Sequence, residues 1–215
     1  MTEAYSDWDF GLSELSKRFD ERWVLEVTAR EAVASVAARA DGMAARAILE
    51  DATRLLTSSL PAWAVTAVWQ GATGRQHDLE RLEVDGRHWL SEVAEVCVEQ
   101  LRANDPAYRS VTPKPAPDTR AGAVLDELLL AGPALRAAAM GRTYREVAGL
   151  VSALDMVVTQ VSPDLGFRLF LRAMCEYWVP ISQAQYDRYE ALGEHFGFGE
   201  FHVDDVRFLT TLRTE

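Results

Sequence analysis

The chain has 215 residues, of which 48% are hydrophobic and 26% are charged. This composition excludes a mainly disordered or collagen-like protein, and the length fits one domain or two small ones. With 33 acidic and 22 basic residues the formal net charge is −11, so nucleic acids and anionic membrane surfaces are not expected partners.

The chain also shows no sign of a membrane or secretory destination. No apolar run approaches the length of a membrane-spanning helix, and the first residues lack the basic start and apolar core of a signal peptide. We therefore expect a cytoplasmic protein. Arginine and alanine are abundant and lysine occurs only at positions 17 and 114, a bias typical of a GC-rich bacterial genome.

Helix signals dominate the first half of the chain. Thr28 and Glu31 form the pattern of a capping box, which predicts the start of a helix. Apolar residues then recur at helical spacing. Asp41-Gly42 is expected to interrupt this run, and Pro61 is expected to end the second helix.

A different pattern follows Pro61. The segment 63–69 is rich in tryptophan and β-branched residues, and a second short run covers 79–84. Asp85-Gly86 then resembles the two central residues of a type I′ turn. These features predict a small β-hairpin element in the N-terminal half.

Four prolines lie between positions 104 and 119, three of them alternating in Pro-Lys-Pro-Ala-Pro. Alternating prolines favour an extended, stiff segment. We therefore predict a mixed helical part with the hairpin at 1–103, a Pro-rich linker at 104–119 and a helical bundle part at 120–215, with packing into one domain left open.

The C-terminal part carries the clearest helical stripes. Gly132-Pro133 is expected to stop or kink one helix. Ser162-Pro163 and the Ser182/Gln185 capping box are expected to start two others. The fold class predicted for the whole chain is mainly α, a helical bundle with a small β-hairpin element.

Motifs that carry chemistry are absent from the sequence. It contains no dinucleotide-binding or P-loop glycine pattern and no zinc signature. Cys97 and Cys175 are far apart and lie in apolar helical patterns, so we expect two buried thiols. The densest set of candidate metal ligands comprises Glu194, His195, Glu200, His202, Asp204 and Asp205. We interpret this set as a polar helix end followed by a solvated loop. The sequence therefore predicts no metal ion and no cofactor.

The first functional hypothesis is a protein-binding module that is not an enzyme. Strong acidity and six tryptophans suit a basic protein partner, as in an immunity protein or an antitoxin-type inhibitor of a basic effector. Glu92, Glu95 and Glu99 share one face of a predicted helix and are the expected partner contacts.

The second hypothesis is a small helical enzyme or ligand-binding protein. Its pocket would lie among the C-terminal helices and would be lined by aromatic and histidine side chains. The candidate residues are Tyr177, Trp178, Tyr186, Tyr189 and His195. A third possibility is a self-associating structural or scaffold protein, which shares features with the first hypothesis, so a homo-oligomer is left open.

Overall fold

The structure, a computed structural model, describes residues 9–19, 27–109, 113, 120–141, 146–199 and 201–212. This part of the chain is mainly helical and contains no β-strand. Its α-helices are α1 (Gly11–Lys17), α2 (Ala29–Ala37), α3 (Met43–Thr57), α4 (Ala62–Ala72), α5 (Gly86–Asn104), α6 (Ala121–Gly141), α7 (Leu150–Gln160), α8 (Pro163–Glu176) and α9 (Gln183–Phe196). Short 3₁₀ helices cover Arg39–Gly42 and Val203–Thr211.

Helix starts follow the capping signals of the sequence. The Thr28 hydroxyl accepts from the Glu31 N–H, and the Glu31 carboxylate accepts from the Thr28 N–H, so the capping box of α2 is confirmed. The Ser182 box at the start of α9 is formed in the same way. At α8, Ser162 is the N-cap residue and Pro163 takes the first helical position, where its missing N–H costs nothing.

The predicted β-hairpin is wrong. The tryptophan-rich segment forms α4, a helix with buried residues on nearly every side, and such a helix shows no amphipathic period that would distinguish it from a strand. Asp85 caps α5 instead of forming a turn, because its carboxylate accepts from the N–H groups of Arg87 and His88.

Gly86 is required by the contact between α4 and α5. Its N–H donates to the Thr66 hydroxyl at 2.8 Å, and a Cβ atom built on it would lie 2.4 Å from the backbone nitrogen of Thr66. This crowding involves backbone atoms, so a side chain at position 86 would push the two helices apart.

We therefore expect Gly86→Ala to lower the free energy of unfolding by about 1–3 kcal/mol, as overpacking does elsewhere. Urea denaturation of the variant measures this loss. Gly122→Ala is the matched control: Gly122 lies in α6 with nothing within 4 Å of its Cβ position, so alanine there should be neutral or slightly stabilising. Equal stability of the two variants would contradict the close approach of α4 and α5 at Gly86.

Proline does not end α6. The helix continues through Pro133 to Gly141, although proline removes the hydrogen bond to the carbonyl of Leu129. Burial of Val124, Leu128 and Leu135 along the inner face offsets that loss. The Asp41-Gly42 interruption does occur, and Gly42 takes a left-handed conformation there with φ of 88°.

Helices from both halves of the chain contribute to one hydrophobic core. The central helix is α4, which packs against α5 from its own half and against α7 and α8 from the other. Most of the predicted Pro-rich linker lies outside the described residues, so its boundaries remain a prediction. Within the described ranges, no helix combines the length and apolar content needed to cross a bilayer.

Candidate acidic cleft around Trp63

The candidate site is an open cleft of about 700 Å³ between α4, the loop that precedes α5, and the turn that leads into α7. Its lining residues are Trp63, Thr66, Ala67, Gln70, Glu80, Glu83, Val84, Asp85, Ala148 and Gly149. Three smaller clefts, of about 460, 350 and 320 Å³, lie elsewhere among the described residues.

Trp63 supplies the aromatic surface of this cleft. It is 51% exposed, whereas Trp69 and Trp89, on α4 and α5, are buried. Gly149 has φ of +73°, and a Cβ atom there would lie 3.1 Å from the Trp63 ring. The indole therefore lies directly against glycine backbone, which holds it in place while its other side stays open to solvent.

The rim of the cleft is acidic. Glu80 binds Arg75 at 2.6 Å between Oε2 and Nη2, and Asp85 is occupied by the cap of α5. Glu83 is exposed, has φ of 56° and forms no ion pair with any described residue. No basic side chain is among the described residues that line the cleft.

This combination suits a cationic group. A guanidinium or ammonium over an indole face is attracted by the ring quadrupole, and the neighbouring carboxylates add charge-assisted hydrogen bonds. Thr66 and Gln70 are already held, by Gly86 and by Asp78 respectively, so hydrogen bonds within the protein fix the floor of the cleft. An arginine or lysine side chain is the kind of group whose chemistry matches this arrangement.

The three glutamates predicted as partner contacts are exposed on α5. Two are engaged: Glu99 forms a two-oxygen pair with Arg30, and Glu92 lies 3.2 Å from His88. Glu95 and Glu99 line a second, shallower cleft of about 460 Å³ between α3 and α5, whose apolar lining includes Leu49 and Leu56.

The structure does not bring the five predicted pocket residues together. Tyr177, Tyr186 and Tyr189 are buried in the core, where the Tyr186 hydroxyl donates to Asp204 at 2.5 Å. Trp178 is 56% exposed and packs edge-on against Phe208. His195 is exposed and lines a separate cleft between α6 and α9.

In the part of the chain that the structure describes, the side chains that could bind a metal ion or act as nucleophiles lack the arrangements that such chemistry needs. Across the described residues, no three His, Cys, Asp or Glu side chains lie in a set that could hold a metal ion. Burial raises the pKa of both Cys97 and Cys175 to about 12, so neither thiol is a thiolate near neutral pH. Cys97 is buried and Cys175 is partly buried.

A buried polar network between α1, α3 and α8 has no local signal in the sequence. Arg168 is 1% exposed and binds Asp51 through both terminal nitrogens, each at 2.8 Å. It also donates to the Phe10 carbonyl and contacts Asp164. Because the nearby carboxylates already neutralise it, we interpret Arg168 as an internal tie between helices. Helical spacing alone could show neither that Arg168 is buried nor which carboxylates face it.

Comparison with protein-family models, with curated proteins and with solved structures finds no match for this chain. The assignment of a function therefore rests on the geometry and charge of the surface.

Proposed function

We propose that this protein is an acidic protein-binding module whose partner is a basic protein, and that a cationic side chain of the partner enters the Trp63 cleft. The same chemistry fits a cytoplasmic inhibitor, of the immunity or antitoxin type, that covers a basic effector. The net charge of −11 would steer such a partner toward the protein before contact.

The observation that carries the proposal is the position of Trp63. Large aromatic side chains are usually buried or placed at recognition sites, where they act as anchors. Trp63 is half-exposed beside three carboxylates in this cleft. The α5 glutamates predicted as partner contacts form an alternative binding surface made of other residues, so a titration of variants can tell which of the two surfaces binds the partner.

The probe for the test is an octa-arginine peptide, titrated by calorimetry against the full chain. We expect Trp63→Ala to weaken binding about fivefold or more, which corresponds to about 1 kcal/mol of lost cation–π attraction. Glu83→Gln should weaken it by a smaller factor. Raising the salt to about 0.5 M should weaken binding to every variant, since the contact is electrostatic.

Two matched controls separate the cleft from general acidity. Trp178→Ala removes another half-exposed tryptophan, and Glu92→Gln removes one charge from the α5 face. Both should bind the peptide as the wild type does if the cleft is the site. Equal weakening by Glu92→Gln and Glu83→Gln would show that charge alone attracts the peptide, and an unchanged affinity of Trp63→Ala would refute the cleft.

A further inference from the structure

We infer that the outer face of α6 is a self-association surface, on which the same helix of a second copy packs in antiparallel orientation. The inner face of α6 is buried in the core, but its outer face is not covered by any described residue. Leu129 is 78% exposed, Leu130 58% and Met140 46%. An apolar patch of this kind marks an interaction site in a folded protein.

Helical spacing places these residues in one stripe. At 100° per residue, positions 129, 130, 133, 137 and 140 lie within about a third of the helix circumference. Pro133 and Ala137 between the larger side chains are exposed as well and are small or compact, so another helix can approach closely. The stripe is about 17 Å long, from the 1.5 Å rise per residue.

The charges on this face favour a second copy over a basic partner. Within α6, all of which is described, the exposed charged residues are Asp126 and Arg136, and neither forms an ion pair with any described residue. Their charges cancel, so the face offers no attraction to a cationic protein. Because the face itself is neutral, two copies of this acidic protein can meet there without strong repulsion between the contacting surfaces.

The positions of the two charges define the orientation. An antiparallel pair related by a two-fold axis at the level of Ala131 places residue 126 of one copy opposite residue 136 of the other. Asp126 then faces Arg136 twice, and Leu129 faces Pro133 twice. Such an interface is self-complementary, as two-fold symmetry requires.

A single helix face is smaller than the interface of a tight dimer, so we expect a dissociation constant in the micromolar range. Sedimentation velocity over a concentration series measures it. Leu129→Glu should raise the dissociation constant more than tenfold. Met43→Glu is the matched control, because Met43 is 59% exposed on α3, and it should leave the constant unchanged.

Exchange of the charges of Asp126 and Arg136 supplies a test whose expected result cannot be explained by misfolding. Asp126→Arg and Arg136→Asp should each weaken the dimer several-fold, because each places like charges opposite one another. The double variant restores opposite charges and should return the constant to within about twofold of the wild-type value. A chain that stays monomeric up to about 0.5 mM, or a double variant as weak as the singles, would overturn the inference. The octa-arginine titration is independent of either result.

Discussion

Replacement of Arg168 by methionine is expected to lower the free energy of unfolding by about 3–5 kcal/mol, the usual cost of leaving one partner of a buried ion pair alone. Asp51 is also buried, and without Arg168 it would keep only the N–H of Leu12 as a described hydrogen-bond donor. The loss is measurable by urea denaturation at neutral pH.

The control for Arg168→Met compares the loss of a buried ion pair with the loss of an exposed one. Arg30→Met removes an arginine whose pair with Glu99 is exposed on both sides, and it should cost less than about 1 kcal/mol. The double variant Arg168→Met/Asp51→Leu should be more stable than Arg168→Met alone, because no unpaired charge remains in the core. A cost below about 1 kcal/mol for Arg168→Met would contradict the role of this tie between helices.

Acidification is expected to destabilise the protein well before its carboxylates are fully protonated. Burial lowers the pKa of His77 and of His202 to about 4, whereas an unfolded histidine titrates near 6.5. Below about pH 6.5 the unfolded chain takes up protons that the folded protein does not. The stability present at neutral pH is therefore lost as the pH falls from about 6.5 toward 4, with a maximum near 3 kcal/mol for each histidine.

A variant of His202 tests this assignment with little change in packing. The His202 ring packs against Phe10 and Phe198, and its Nδ1 is 3.6 Å from Asp9 without a hydrogen bond. His202→Phe should keep the ring contacts and make the dependence of unfolding free energy on pH markedly less steep. A wild-type stability that is flat between pH 6.5 and 4.5 would refute the prediction.

The starts of helices were predictable because the signals are local. The capping boxes at Thr28 and Ser182 involve residues three apart, and both are formed as predicted. The prediction of a hairpin was wrong because the same local signals are compatible with two structures, a turn and the start of a helix. Asp-Gly suits a turn, but aspartate is also a strong N-cap residue, and Gly86 is present for the close packing of α4 on α5.

The site was harder to predict than the fold. Trp63 comes from α4, Glu83 from the loop before α5 and Gly149 from the turn before α7, so their proximity depends on packing between distant segments. The tyrosines of the predicted C-terminal pocket follow the same helical stripe as core residues, and Tyr186 and Tyr189 are indeed core residues. Spacing cannot tell a buried aromatic stripe from the wall of a pocket.

The most direct test of the proposed binding function is ¹⁹F NMR of the full chain labelled with 5-fluorotryptophan, with the Trp63 signal assigned through Trp63→Phe. On addition of octa-arginine, the Trp63 signal should shift in a saturable manner, while the signals of the buried Trp69 and Trp89 stay in place. Binding of the peptide that leaves the Trp63 signal unmoved would contradict recognition of a basic partner through this cleft.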